Sequence, residues 1–215
     1  MKKLLLPAKN TYFYLIFFIF LQSCATPGQV ASESEDRFYS LNSDFIQSCT
    51  RVSGDGDPLE TIITFSTENC YKAEGGILRM VWNDQFLRGY VSKSDKSIMS
   101  IQVYSIIYTR TGRWIYPNQA NYLINNELIS DDGISIASDV DCSMSSTYGS
   151  CQYRDDYGFD LDLRTFEEAK RLKSIGEQTF NYRIKTRAGG DVNRMFNVEE
   201  IIGLETKMKN AILEL

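Results

Sequence analysis

The chain has 215 residues, of which 43% are hydrophobic and 24% are charged, with 28 acidic and 23 basic side chains. This composition predicts one globular core and excludes a disordered, collagen-like or multi-span membrane protein. The chain contains no histidine. Enzymes with a Ser-His-Asp or Cys-His nucleophile and zinc sites of the HExxH type are therefore excluded.

The first 23 residues have the pattern of an export signal. Lys2, Lys3 and Lys9 form a positive stretch, and an apolar run of ten residues follows at Tyr12–Leu21. A membrane-spanning helix needs about 20 apolar residues, so this run is typical of a signal peptide that is removed. An uncleaved anchor is the alternative. It would need Leu4–Leu6 as well, and proline and polar residues interrupt that longer stretch.

The apolar run ends in Leu21-Gln22-Ser23-Cys24. This tetrapeptide resembles the lipobox of bacterial lipoproteins, which has leucine three residues before the cysteine and a small residue directly before it. The resemblance implies cleavage after Ser23 by signal peptidase II and a lipid-modified Cys24 as the mature N-terminus. Two or three acyl chains, at about 0.8 kcal/mol per buried methylene, would hold the protein on a membrane. Ala25 resembles the residue found in lipoproteins released to the outer membrane, with the periplasmic or outward orientation left open.

A polar, acidic stretch separates this cysteine from the first apolar segments. Its composition predicts a flexible tether, which divides the chain into a signal peptide (1–23), a lipidated N-terminus with tether (24–37) and one domain (38–215). Without the signal peptide, 20 basic and 28 acidic side chains remain, a net charge of −8. This charge argues against nucleic acid as a partner. No cofactor is indicated.

Four cysteines follow the tether, namely Cys49, Cys70, Cys142 and Cys151. An even number of cysteines in an exported domain predicts two disulfides, with three possible connectivities. The pairing Cys49–Cys70 with Cys142–Cys151 is favoured because the partners are near in sequence, and each bridge is expected to contribute about 3 kcal/mol. A zinc site with four thiolate ligands is the alternative, but the spacing contains no CxxC pair.

Short strands are predicted between the tether and residue 162, followed by a helix, a strand and a helix. Apolar runs predict strands at Ile62–Phe65 and, in a central position, at Ile98–Tyr108. Asn-Asp and Asn-Asn turns predict two hairpins, at 78–91 and 122–129. Capping-box patterns and helical periodicity predict helices over 166–174 and 198–210 around a strand at 180–184. The expected fold is mainly β, on the margin of α+β: an antiparallel β-sandwich-like domain with two short C-terminal helices.

The segment from residue 133 to residue 163 predicts a hairpin with a defined register. Apolar side chains alternate with polar ones on both arms, and each arm carries its cysteine on the apolar face. Placing Cys142 opposite Cys151 then sets every other cross-strand pair. The predicted pairs are Ile134 with Phe159, Ile136 with Tyr157 and Val140 with Tyr153, all directed inward, and Asp139 with Arg154, directed outward.

Two groups of side chains are candidate sites. Asp131 and Asp162 face each other in the predicted register and are candidate ligands for Ca²⁺, while the alternative, favoured by the absence of EF-hand spacing, is a solvated acidic face. Trp114, Tyr116 and Tyr122 are candidate binding residues, because exposed aromatic rings stack on sugars or anchor protein partners. Packing in the core is the alternative for these three aromatic residues.

The function that these patterns favour is a non-catalytic binding or assembly module anchored by lipid in the bacterial envelope. Its expected partners are the membrane, through the lipid, and an envelope protein or glycan. A tethered hydrolase that uses carboxylates, for example on glycan or peptidoglycan, is the alternative, since paired carboxylates serve such chemistry. A purely structural spacer is a third possibility. No catalytic residue is identified, because GxSxG, SxxK and P-loop motifs are missing from the sequence.

Overall fold

The computed structural model describes residue 38 and residues 40–70, 85–109, 113–142 and 151–215. Within these residues lie ten strands and three α-helices. The helices are α1 (Ser43–Cys49), α2 (Thr165–Ser174) and α3 (Val198–Glu214). The strands are β1 (Arg51–Ser53), β2 (Ile62–Ser66), β3 (Gln85–Ser92), β4 (Ser97–Thr109), β5 (Pro117–Ile124), β6 (Glu127–Asp131), β7 (Ile134–Asp141), β8 (Gln152–Leu161), β9 (Thr179–Thr186) and β10 (Val192–Asn197).

The strands form two antiparallel sheets that pack face to face. One sheet has six strands in the order β1-β2-β3-β4-β8-β7, and the other has four in the order β10-β9-β5-β6. Phe159 of the larger sheet contacts Tyr122 and Tyr182 of the smaller one, with ring centroids 6.4 and 5.3 Å apart. Aromatic residues of both inner faces therefore form the centre of the core, and the predicted mainly β, sandwich-like fold is confirmed.

The long strand β4 lies between β3 and β8, as the apolar pattern of Ile98–Tyr108 predicts. Its inward side chains, among them Ile101 and Val103, are buried in the core. On the outward face, the Tyr104 ring stacks on Phe86 at 5.1 Å, and the Arg88 guanidinium lies 4.2 Å from the centroid of Tyr104. The outward side chains thus cover one another. This explains why β4 carries apolar or aromatic residues on both of its faces.

Helix α3 packs closely on strand β3 and on helix α1 because glycine stands at both contacts. A Cβ at Gly89 would overlap Met208, and a Cβ at Gly203 would lie 2.7 Å from the Cβ of Ile46 and 2.8 Å from the carbonyl oxygen of Ser43. Residues 43–49 form α1, a helix that the strand pattern did not predict. None of the helices in the described part of the chain has the length and apolar content needed to cross a bilayer.

Both disulfides pair as the favoured connectivity predicts. Cys49–Cys70 joins α1 to the 3₁₀ turn Glu68–Cys70, with Cα atoms 5.1 Å apart, inside a small cluster with Leu41 and Ile46. Cys142–Cys151 follows the end of β7 and precedes the start of β8, with Cα atoms 4.2 Å apart. One bridge therefore lies in the interior and the other closes the end of a hairpin.

The β7–β8 hairpin has the predicted register over only part of its length. The predicted pairs Asp139–Arg154 and Val140–Tyr153 are present. A bulge at residue 136 then shifts the strand by one position, so that Ile134 pairs with Gly158. The predicted pairs of Ile134 with Phe159 and of Ile136 with Tyr157 are therefore wrong. Gly158 leaves room for this bulge, because a Cβ there would lie 2.9 Å from Cδ1 of Ile136.

The predicted burial of the β7 side chains is also wrong. All eight residues of β7 are exposed, and Ile134 is 67% exposed. The physical reason is the position of β7 at the edge of the six-stranded sheet. Alternation along a strand separates its two faces, but it carries no information on whether a second layer covers either face.

The Asn-Asn hairpin is confirmed. Strands β5 and β6 pair antiparallel, and Asn125 and Asn126 have φ angles of +50° and +66°, as a tight two-residue turn requires. For the predicted Asn-Asp hairpin, the segment Phe86–Val91 lies within β3. Its first arm and its turn lie outside the described residues.

The two predicted C-terminal helices are present, and the start of α2 differs from the capping-box prediction. Helix α2 is preceded by Arg164, whose side chain makes no capping bond, and the Glu168 carboxylate pairs with Arg171 at 2.6 Å. At α3, Asn197 caps as predicted by accepting from the Glu199 amide at 2.9 Å, whereas Glu200 accepts from the Thr67 hydroxyl at 2.5 Å. The Glu168 carboxylate also accepts from the Asn125 amide at 3.2 Å, so each glutamate has a partner distant in sequence.

Candidate functional site

Two adjoining cavities open where β4 and β9 end and where β5 and β8 begin. Their volumes are about 460 and 420 Å³, and Tyr116 and Arg187 line both, so we describe them together as the cleft. The first cavity is lined by the aromatic and basic side chains Arg113, Trp114, Tyr116, Tyr153 and Arg187. The second also includes the polar side chains Asn118, Asp132, Ser135, Ser138 and Asp155.

The aromatic wall of the cleft is fixed by the end of the larger sheet. Tyr153 pairs with Thr109 at the end of β4, and the Thr109 hydroxyl donates to the carbonyl of Arg113 at 3.4 Å. Trp114 then meets the Tyr153 ring edge to face, with centroids 5.0 Å apart and planes at 84°. This wall is therefore built on a strand rather than on the loop alone.

Tyr116 lies between the two cavities in an unusual backbone conformation. Its φ angle is +52°, the residue is 55% exposed, and it directly precedes Pro117. A bulky residue rarely has positive φ, and the residue before a proline normally adopts an extended conformation. Two backbone hydrogen bonds hold the segment, from the Arg187 amide to the Tyr116 carbonyl (3.0 Å) and from the Ala188 amide to the Ile115 carbonyl (3.2 Å). Such locally strained conformations cluster at functional sites.

The polar wall of the cleft carries a buried carboxylate. Asp155 is 2% exposed and accepts a hydrogen bond from the hydroxyl of Ser138 at 3.0 Å. These two residues are direct partners in the β7–β8 ladder. The exposed Asp132 lines the same cavity and accepts from the side-chain amide of Gln119 at 3.1 Å. Two carboxylates therefore share this cavity, one in solvent and one shielded from it.

The cleft carries charges of both signs. Arg113 lines the aromatic cavity, Asp132 and Asp155 line the polar one, and Arg187 lines both. Arg187 is exposed, and within the described residues its guanidinium forms no ion pair. The cleft thus offers a planar cationic fork where its two cavities meet and carboxylate oxygens in the polar cavity.

Of the three aromatic residues singled out in the sequence, the cleft brings together Trp114 and Tyr116. Tyr122 lies in the core instead, 3% exposed, and its hydroxyl accepts from the Asp162 amide at 2.9 Å. Burial raises the pKa of Tyr122 to about 12. For Tyr122 the alternative of core packing therefore holds.

Asp131 and Asp162 do not face each other, because β6 with Asp131 belongs to the smaller sheet and pairs with β5. The Asp131 carboxylate accepts from the Asp160 amide at 3.3 Å, and burial together with the neighbouring aspartates raises its pKa. Asp162 is held by the Arg164 guanidinium at 2.7 Å, which lowers its pKa. Across the described ranges, no group of three or more Cys, Asp or Glu side chains is arranged to hold a metal ion.

Sequence reasoning missed Tyr153, Asp155 and Arg187 as cleft residues. The sequence does contain an indication for Asp155, because it stands between Tyr153 and Tyr157 on the apolar face of β8. A carboxylate on an inward face is unusual and points to a specific role. The sequence contains no such indication for Arg187, because its hydrogen bond to the Tyr116 carbonyl joins residues 71 positions apart in the chain. Cys24 and the tether lie outside the described residues. Comparison with protein-family models, with curated proteins and with solved structures finds no match.

Proposed function

We propose that the chain is a lipid-anchored protein of the bacterial envelope, held on the outer membrane through Cys24, and that its cleft is a non-catalytic binding site. The signal-like N-terminus and the lipobox-like Leu21-Gln22-Ser23-Cys24 support the anchor. The observation that carries the binding role is the cleft itself, where Trp114, Tyr116 and two arginines line one open cavity.

The composition of the cleft favours recognition. Tryptophan, tyrosine and arginine are the residue types that dominate binding hot spots, because they combine large contact area with directional polar groups. The cavity volumes, about 460 and 420 Å³, fall in the usual range of ligand sites. The strained backbone at Tyr116 places one exposed ring where both cavities meet, so one ligand can contact both.

The tether sets the distance at which the cleft can act. Residues 25–37 number 13, and a fully extended chain of that length spans about 45 Å. A partner would therefore be a component of the envelope close to the membrane, an envelope protein or a glycan.

Photo-crosslinking in the native host tests the binding role. A benzophenone side chain at position 116 should capture one consistent envelope partner, identified by mass spectrometry. Capture should be lost when Trp114→Ala is added, because that change removes the indole ring that packs against Tyr153 in the cleft wall. The matched control is the same probe at Leu59, which is 90% exposed outside the cleft. The same capture profile from both positions would contradict the proposal.

Labelled palmitate tests the anchor independently. We expect incorporation into the wild-type chain and none into Cys24→Ala, with the Cys24→Ala protein recovered from the soluble envelope fraction. The other cysteines serve as the internal control, since Cys49–Cys70 and Cys142–Cys151 are disulfide-bonded. Labelling that persists in Cys24→Ala would remove the anchor from the proposal.

A tethered hydrolase is a second candidate, favoured by one observation: Asp132 and Asp155 line the same cavity and differ in burial. Paired carboxylates in unlike surroundings are the usual acid and base of glycoside hydrolysis. The test is release of soluble fragments from labelled peptidoglycan by the purified protein. Release abolished in Asp155→Asn, but retained in Asp160→Asn on the outer face of the same strand, would favour this second function.

A further inference from the structure

We infer that the ligand of the cleft is a short zwitterionic peptide, bound with a carboxylate at Arg187 and an ammonium at Asp155. The inference rests on the proposed function of the cleft as a binding site and names its ligand class. It starts from the charges described above, with the Arg187 guanidinium where the two cavities meet and the carboxylates of Asp132 and Asp155 in the polar cavity.

The guanidinium end suits a carboxylate. An arginine side chain offers paired donors in a plane, which match a carboxylate with two parallel hydrogen bonds. Arg187 is exposed and lines both cavities, and its backbone amide is fixed on the Tyr116 carbonyl at 3.0 Å. Its backbone is therefore held at the cleft, and within the described part of the chain no acidic side chain neutralises its charge.

The carboxylate end favours an ammonium over a sugar hydroxyl. Asp155 is buried and accepts one hydrogen bond within the described residues, from the neutral Ser138 hydroxyl. A carboxylate has about four acceptor sites, and a buried charge is costly unless an opposite charge is near. A sugar hydroxyl would supply a hydrogen bond without a charge, whereas an ammonium supplies three donors and the charge as well.

The rings beside these charged groups suit the body of a peptide. Tyr116 stands between the cavities, and Trp114 with Tyr153 forms a rigid edge-to-face pair beside it. Such rings offer large contact areas to peptide planes and apolar side chains at low entropic cost, because each has only two side-chain torsions. The held conformation of Tyr116 adds preorganisation, which reduces the cost of ordering on binding.

Titration of the full chain with the tripeptide Ala-Phe-Ala tests the inference. The protein has two tryptophans, so the indole N–H resonance of Trp114 is assigned with Trp114→Phe and followed by NMR. Three probes are compared: the free tripeptide, its C-terminal amide and its N-acetyl derivative. Since a hydrogen bond to a charged group is lost with each cap, we expect either cap to weaken binding about tenfold or more.

Variants of the protein identify which end binds where. Arg187→Gln should weaken the free tripeptide and abolish the difference between it and the amide. Asp155→Asn should weaken binding of the free tripeptide and abolish the difference between it and the N-acetyl derivative. Once the carboxylate is gone, capping the ammonium of the peptide removes no further contact. The matched controls are Arg51→Gln, exposed on the opposite edge strand β1, and Asp160→Asn on the outer face of β8. Both should bind all three probes as the wild type does.

The outcomes separate the inference from the proposed function. Equal binding of capped and uncapped tripeptide would overturn charge recognition. A Trp114 shift with an N-acetylglucosamine tetrasaccharide and none with the tripeptide would make the ligand a glycan, overturning the inference while supporting the cleft as a binding site. If neither probe moves the resonance, the peptide inference fails, and the crosslinking from position 116 decides separately on the proposed function.

Discussion

The two ends of the molecule treat their polar side chains differently. At the helical end, formed by α1, α2 and α3, buried acids are paired internally: Glu200 accepts from Thr67, and Glu205 pairs with Lys170 and Lys209 at 2.9 and 2.6 Å. At the cleft, Tyr116 is exposed and Arg187 has no ion pair within the described residues. Polar groups at the helical end thus stabilise the fold, whereas Tyr116 and Arg187 at the cleft are the exposed groups that the proposed ligand would contact.

The two disulfides show the same contrast. Cys70 at the helical end is fully buried, while Cys142 beside the exposed strand β7 is solvent-exposed. The separations of 21 and 9 residues correspond to about 3.3 and about 2.6 kcal/mol in the chain-entropy account. The buried bridge also carries packing that the exposed one lacks, so the difference between the two bridges should exceed the entropic difference.

The largest effect is expected from removing the buried bridge. The double variant Cys49→Ala with Cys70→Ala should lower the free energy of unfolding by about 3–5 kcal/mol, because α1 loses its link to the 3₁₀ turn and the small cluster around Ile46 loses contacts. Urea unfolding with linear extrapolation measures this change. A cost below that of the exposed bridge would break the comparison.

Removing the exposed bridge should cost less. For Cys142→Ser with Cys151→Ser we expect a loss of about 2.6 kcal/mol from the same urea experiment, chiefly through the freer unfolded chain. Tyr153 lies two residues from Cys151 in the cleft wall, so binding at the cleft should weaken as well. Unchanged binding, with the stability loss present, would show that the bridge does not position the cleft.

A methyl group at the α1–α3 contact tests how tightly the helical end is packed. Gly203→Ala should cost about 1–3 kcal/mol, the usual range for overpacking, because its Cβ would lie 2.7–2.8 Å from Ile46 and Ser43. Thermal or urea unfolding measures the change. The matched control is Gly56→Ala, where a Cβ meets nothing within 4 Å, and there we expect no loss of stability.

The pH dependence of stability should also report on the helical end. Hydrogen bonds from Arg171 lower the pKa of the buried Glu168 carboxyl in the folded protein. A depressed folded pKa contributes stability that is present above the unfolded value near 4.5 and is lost as the pH falls through the folded value. Glu168→Gln should therefore lower the unfolding free energy at pH 7 by about 1 kcal/mol and flatten its decline in acid. An unchanged acid profile would contradict this role.

The smallest effect on stability is expected at the cleft. Arg187→Gln should change the unfolding free energy by less than about 0.5 kcal/mol, as is usual for exposed substitutions, while abolishing crosslinking from position 116. This pattern would sharpen the contrast between the two ends. A loss of stability equal to that of Gly203→Ala would instead assign Arg187 to the fold.

The sequence predicts those features that depend on neighbours in the chain. The Asn125-Asn126 turn, the two disulfides, the end of α2 at Ser174 and the alternation of β9 are all local patterns, and the structure contains each of them. The failures depend on partners distant in sequence. The bulge at Ile136 depends on Gly158 of the next strand, and the unpredicted hydrogen bond from Thr67 to Glu200 joins residues 133 positions apart.

The candidate site divides in the same way. Trp114 and Tyr116 stand out because aromatic residues near a turn are a local pattern. Asp155 and Arg187 acquire their role only when β8 and the end of β9 meet at the cleft. The conformation of Tyr116 likewise depends on two hydrogen bonds from residues 187 and 188, which no periodicity along the chain can reveal.

The exposed edge strand β7 has a consequence for a protein concentrated on a surface. An open strand edge is a template on which a second chain can pair, and pairing of this kind leads to fibres. Lipid anchoring as proposed would confine many copies to two dimensions and multiply their encounters. The bulge at Ile136 interrupts the straight run of backbone groups, and Asp139 and Asp141 place like charges on the same strand, which would repel those of a neighbouring copy. These features would let the protein remain crowded on a membrane without polymerising.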